Sequence, residues 1–311
     1  MALSNQELVR LKYPLRPDPQ KAPGAYASWL KAVSKPATFI PPKTVNVEGR
    51  SQGPVQIDAG ANLQVARLAT SDNTTQQFDA YQPVWSGYVL DQTTSSFDWI
   101  QGEWNVPAIV GGESETWTYS DFWIGFDGPT DGPTLAAGTK QIALNYNGFT
   151  YAYYHPWTLS PQGQVAISNF IVNPGDDIYA EVWVTDVNGN FNPNGGYSNF
   201  YFSDFTTGQS TYLVEPITPG TFFGQSAEWI MSRDGGCGGD CDLSDYSFAV
   251  MREALARTAD GNFANHQGGV RVGRSSRFLM WGGNDIFSLH FLSLVYPIDS
   301  NTMEFIWQNF H

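Results

Sequence analysis

Glu228 stands in the run Ala227-Glu228-Trp229-Ile230-Met231. On a strand, side chains alternate, so Glu228 and Ile230 share one face while Ala227, Trp229 and Met231 share the other. A carboxyl group set among apolar and aromatic neighbours is poorly solvated. Its pKa rises, and it can both accept and donate a proton in mildly acidic conditions. A plainer reading competes, that of an exposed Glu on a half-buried strand. Asp186-Val-Asn-Gly-Asn190-Phe-Asn192 spaces oxygen ligands like the start of a calcium loop, but its Asn188-Gly189 pair also marks a hairpin turn, and the turn is the preferred reading. Cys237 and Cys241, in Gly-Gly-Cys-Gly-Gly-Asp-Cys, are either a small disulfide loop or two free thiols. The four histidines, His155, His266, His290 and His311, have no metal-ligand spacing to one another. There is no G-x-S-x-G elbow, H-E-x-x-H pair or phosphate-cradling Gly-rich loop, so no metal and no cofactor is expected.

A carboxyl group of this kind needs a rigid sheet to hold it. Period-two alternation runs through Phe149-Thr-Tyr-Ala-Tyr153, Val165-Ala-Ile-Ser168, Ile178 to Thr185 and Met303-Glu-Phe-Ile-Trp307. Asn147-Gly148, Pro174-Gly175, Asn188-Gly189, Asn194-Gly195 and Pro219-Gly220 punctuate these runs with turns. Many short strands at such spacing predict an all-β antiparallel sandwich or closed barrel from about Phe78 onward. Ser247 to Thr258 is ambiguous. Its Met-Arg-Glu-Ala-Leu-Ala-Arg core favours helix, whereas Tyr246, Phe248 and Val250 alternate.

The first 75 residues differ in texture. Tyr26, Trp29, Leu30 and Val33 fall on one helical face, a stripe too short to be stable unless it docks on something. Residues 1–50 carry eight Lys/Arg against three acidic residues, +5, and the remainder carries eight against 27, −19. A basic head on an acidic body predicts mutual attraction, with the head docked over the body's cleft near neutral pH and loosened as carboxylates protonate. The acidic body also argues against nucleic acid as a partner. Of the 311 residues, only 15% are charged, yet no stretch approaches a membrane span. The Met1 end has no apolar core of a secretory signal.

From about residue 80 the chain resembles the glutamic peptidases of the eqolisin type. The matching pieces come in family order: Trp85-Ser-Gly-Tyr-Val89, Phe97 through Gly102-Glu-Trp-Asn-Val-Pro107, then Trp123-Ile-Gly-Phe-Asp-Gly128, which resembles the W-x-G-x-D-G element. Ala136-Ala-Gly-Thr139, Tyr151-Ala-Tyr-Tyr, Pro174-Gly-Asp176, Thr207-Gly-Gln-Ser210 and Ala227-Glu-Trp-Ile230 follow. The head, with Pro14-Leu-Arg-Pro-Asp-Pro19 and Tyr26 to Val33, is similar to the pro-segments of bacterial members.

The resemblance implies a two-sheet, jelly-roll-like sandwich over 76–311 behind a pro-segment over 1–75. It implies an acid-acting endopeptidase in precursor form, monomeric, with polypeptide substrates and an acidic extracellular setting. Glu228 takes the catalytic position, and Trp123 and Asp127 line the substrate cleft. The family glutamine, which stabilises the oxyanion, is replaced by Ala136, so the chain is expected to be inactive. Either a native glutamine has been replaced here, or this is a naturally inactive sandwich that binds peptide or carbohydrate. His155 stands where many members carry Glu, which alters side-chain preference.

Overall fold

A computed structural model describes residues 3–34, 37–46, 77–82, 84–91, 95–109, 115–128, 134–192, 194, 196–233, 242–267, 274–282 and 290–309. Cys237 and Cys241 fall outside them.

The alternating runs form two packed sheets. In the first, the strands lie in the order Gln77–Gln82, Arg274–Gly282, Trp85–Asp91, Ala227–Ser232, Trp117–Phe126, Leu135–Tyr146, Phe149–Ser160, Gly163–Ile167 and Thr44–Asn46. In the second, the order is His290–Pro297, Met303–Trp307, Phe248–Thr258, Phe97–Asn105, Asp177–Thr185, Tyr197–Asp204, Gln209–Pro216 and Thr38–Phe39. Nearly all pairings are antiparallel, and the two sheets join where Arg274–Gly282 also pairs with His290–Pro297. The ambiguous segment is strand Phe248–Thr258, because it is paired on both flanks and these tertiary bonds outweigh its helical propensity. The Asp186 loop is a turn. Asp186 Oδ1 accepts the backbone N–H of Asn188 at 2.8 Å and of Asn190 at 2.9 Å.

The core follows from the alternation. Tyr88, Phe122, Ile124, Trp229 and Met231 of the first sheet face Ile100, Trp104, Ala180, Val182 and Phe200 of the second. Two indoles tie the layers as well as fill them. Trp229 Nε1 donates to the Gln101 carbonyl at 2.8 Å, and Trp104 Nε1 donates to Thr139 Oγ1 at 2.9 Å. Each satisfies a polar group that would otherwise be costly to bury.

The head forms two helices, Asn5–Arg10 and Pro23–Ser34. The first opens on a Ser4/Glu7 capping box, a signal that the apolar pattern alone overlooks. Leu15, Ala22, Ala25 and Ala32 pack on an aromatic face made by Trp99, Tyr179, Trp183, Tyr201 and Tyr212. Lys31 Nζ pairs with Asp177 at 2.8 Å and Glu103 at 3.1 Å, the two carboxylates that Arg252 also binds. This face is the outside of the second sheet. Its strands send the alternate residues Ile178, Ala180 and Val182 into the core. Residues 3–34 therefore sit on the side of the sandwich opposite Glu228, whereas the charge argument expects them over a cleft at that residue. Net charge supplies attraction without direction; the complementary aromatic surface selects the face.

Glu181 lies fully buried beneath the head. Burial pushes its carboxyl up to about 8, against hydrogen bonds from Trp99, Tyr179 and the Leu15 backbone and the Arg257 charge. The Tyr179 hydroxyl lies 3.2 Å from both Gln101 Oε1 and Glu181 Oε2. A phenol has one hydrogen, so a protonated Glu181 that donates to Tyr179 satisfies the whole set. The folded state then holds this proton between the ordinary 4.5 and about 8. Its stabilising contribution is complete below that window and is lost as pH rises through it. In thermal unfolding from pH 5 to 8, Glu181→Gln should flatten the decline in midpoint seen for the parent. An unchanged pH slope would contradict this assignment.

Candidate active site

The first sheet places Glu228 by register. Glu228 is level with Val89 on one neighbour and with Gly125 on the other. Gly125 is level with Ala136, and Ala136 with Leu159. Glu228 and Ala136 thus share a row, two strand spacings or about 9.5 Å apart between Cα atoms. The residue between them has no side chain. A Cβ at Gly125 would lie 3.0 Å from the Ala136 Cβ and 2.6 Å from the Leu135 carbonyl oxygen. The next row along the strands is Gly87, Ile230, Trp123, Gly138 and Trp157. Val89, Trp123, Ala136, Trp157 and Ile230 form an apolar cluster separate from the core between the sheets. Trp85 meets Trp123 edge-on, with centroids 5.2 Å apart, and Trp123 Nε1 donates to Ser232 Oγ at 3.0 Å.

Glu228 is 0% exposed in this setting. Oε1 accepts the Gly128 backbone N–H at 3.0 Å, and Oε2 has no hydrogen-bond partner among the described residues. A side chain at Gly128 would crowd the carboxyl, since a Cβ there would lie 3.2 Å from Glu228 Cδ. Burial drives the Glu228 carboxyl well above its ordinary value, and the Asp127 and Asp91 charges add to this. The Ser226 hydroxyl and the Gly128 N–H oppose the shift without cancelling it. A neutral carboxyl with one anchored oxygen and one unengaged oxygen can hold a proton for transfer. Once ionised, it is a stronger base than an ordinary carboxylate.

The other expected residues divide. Trp123 lies on the Glu228 face, one row away. Asp127 does not present an open carboxylate. It accepts the backbone N–H groups of Phe223 at 3.0 Å, Gly224 at 3.1 Å and Gln225 at 2.6 Å, and the Thr134 hydroxyl at 2.8 Å. These bonds pin the segment that leads into the Glu228 strand, so Asp127 acts on the site by position and charge. His155 occupies the same face, level with Lys140 and Asp121. Lys140 Nζ is 3.7 Å from Asp121 Oδ2. Burial first and the Lys140 charge second lower His155 to about 4. Gly125 and Gly128 were legible only as letters of the W-x-G-x-D-G element. Their function, an open gap and an N–H donor, needs the pairing of distant strands.

A two-sheet sandwich carrying a buried glutamate beside a tryptophan-lined row defines the class. The chain belongs to the peptidase A4 family, whose match covers residues 83–274. Among solved structures it is similar to scytalido-glutamic peptidase bound to a transition state analog inhibitor. The identity is 19% over 73% of this chain and 99% of that one, with a TM-score of 0.53. It is also similar to aspergilloglutamic peptidase from Aspergillus niger, at 18% identity over 61% of this chain and 99% of that one, TM-score 0.45. A third match is SCP-B, an eqolisin in complex with the tripeptide Ala-Ile-His, at 17% identity over 73% of this chain and 99% of that one, TM-score 0.44. No curated protein matches the chain. Among the described residues, no helix is long and apolar enough to cross a membrane.

Replacing Asp127 by Ala should cost about 1–3 kcal/mol in chemical denaturation, because three backbone N–H groups, that of Gly224 buried, lose their carboxylate acceptor. Amide hydrogen exchange at residues 223–225 should accelerate with it. Unchanged stability together with unchanged exchange would show that Asp127 does not hold this segment.

Proposed function

We propose that this chain is the precursor form of a glutamic endopeptidase in which Glu228 is the proton-transferring residue and Ala136 occupies the position of the oxyanion-stabilising amide. The observation that supports this most strongly is the shared row Glu228, Gly125, Ala136. In the working form, ionised Glu228 takes a proton from water as the water oxygen bonds to the scissile carbonyl carbon. Glu228 then passes that proton to the amide nitrogen as the carbon–nitrogen bond breaks, leaving a carboxylic acid and an amine. The raised proton affinity of Glu228 strengthens it as the base of the first half, which runs through its ionised fraction, and the proton it gains there is the one donated in the second. The missing partner is a donor to the carbonyl oxygen. Ala136 supplies none, and losing one such donor costs about 10²–10³ in rate.

The head fits a pro-segment over residues 1–75 acting from the remote face of the second sheet, with the glutamic-peptidase sandwich over 76–311. In this reading residues 3–34 clamp the strands Phe97–Asn105 and Asp177–Thr185 and do not block the Glu228 face. Ala136 also favours a second reading, an inactive sandwich that binds polypeptide or carbohydrate without cutting it.

The two readings separate in one experiment. Ala136→Gln should restore cleavage of a denatured protein at a pH of about 4, near ordinary carboxyl values. The gain over the parent should be about 10²–10³. Adding Glu228→Gln should abolish it. If Ala136→Gln cuts nothing, or if adding Glu228→Gln leaves the rate intact, the peptidase reading is wrong.

A further inference from the structure

The face that carries Glu228 does not end at Lys140. Along the same strands, the next rows are Tyr119, Ile142 and Tyr153, then Trp117, Leu144 and Tyr151, then Tyr146 and Phe149 at the hairpin tip. Unlike the residues around Glu228, these rings are open to solvent: Trp117 is 43% exposed, Tyr146 49%, Tyr151 50%, Tyr153 58% and Phe149 67%. Their inward neighbours Thr118, Ser120 and Ala143 are fully buried. The aromatic side is therefore a chosen side of the sheet, and not the result of a hairpin that is apolar throughout. Trp117 and Tyr153 lie side by side, with centroids 6.3 Å apart. So many adjacent exposed rings are more than a soluble protein usually leaves uncovered.

We infer that this strip is a distal binding surface for an extended polypeptide, recognising apolar and aromatic side chains several residues away from the bond held at Glu228. The inference rests on the peptidase reading for its direction, because the strip continues the Glu228 face in unbroken register. Its spacing supplies a second argument. The aromatic rows recur every two residues along their strands, about 6.7 Å, which is the interval at which an extended polypeptide repeats side chains on one side. From Ala136 to Tyr146 the strand covers about 33 Å, enough for roughly ten substrate residues. Between the Glu228 end and the aromatic end lies the polar row of Asp121, Lys140 and His155. The strip thus engages a substrate at a distance from the reacting bond, and would favour long unfolded chains over short peptides.

The test uses the full, unaltered chain and fluorescence anisotropy with two labelled unstructured peptides. One has about ten residues with aromatic side chains at alternate positions; the other is a truncated form of about five residues. The long peptide should bind at least about tenfold more tightly. Replacing its aromatic residues by Ser should remove that advantage on the unaltered protein. The double variant Tyr151→Ser/Tyr153→Ser should lose the same advantage while keeping its thermal midpoint. Equal affinity for long and short peptides would overturn the inference. So would binding of a soluble glucan in preference to either peptide. Failure here is distinct from failure of the peptidase reading. If Ala136→Gln cleaves proteins but length gives no gain in affinity, only the strip is refuted. If length matters and nothing is cleaved, the strip stands and the catalytic reading falls.

Discussion

The arrangement depends on a carboxyl group that is held out of water and anchored through one oxygen to the Gly128 N–H. Burying such a group is costly, and the protein limits the cost by keeping it neutral. It does so with Val89 and Ile230 around the side chain, with the Asp127 charge nearby, and with a single N–H from Gly128. A second donor on Oε2 would favour the ionised form and lower the proton affinity on which the chemistry depends. The absence of side chains at Gly125 and Gly128 belongs to the same constraint, since either Cβ would intrude on the space the carboxyl and residue 136 share.

That geometry requires a sheet whose register cannot slip. A one-residue shift would send Glu228 into the core and Trp229 out of it. Trp229 prevents this from below, through its bond to the Gln101 carbonyl in the opposite sheet. Asp127 prevents it from the side, by holding the backbone of 223–225. The two outer faces of the sandwich have separate tasks. One carries the candidate site and the aromatic strip, and the other receives the head. Glu181 lies under the head as Glu228 lies in the site, each a carboxyl pushed up by burial. Protonation at Glu181 strengthens the head's seat in acid, which runs against the loosening expected from the charge totals alone.

Much of this was legible in the sequence, and the exceptions are instructive. Alternation around Glu228 placed its face correctly, and the turn at Asn188-Gly189 outweighed the calcium-loop spacing. Phe248–Thr258 resisted a local reading because strand pairing on both flanks decides it. The head's destination was not legible. Charge totals predict attraction, but only the juxtaposition of Trp99, Tyr179 and Tyr201, residues from three different strands, shows where Leu15 and Ala25 can be buried. The bonding of Asp127 was not legible for a similar reason. Its partners lie almost a hundred residues away in sequence, so its type and motif pointed to the cleft while its bonds point into the scaffold.

The central claim is that dry surroundings raise the proton affinity of Glu228 above that of an ordinary glutamate. Carbon-detected NMR titration of the Glu228 carboxyl group in the intact chain measures this directly. The predicted result is a side-chain carboxyl titration displaced upward from that of an ordinary glutamate. A titration midpoint near that ordinary value would contradict it and return Glu228 to the status of a solvated surface carboxylate.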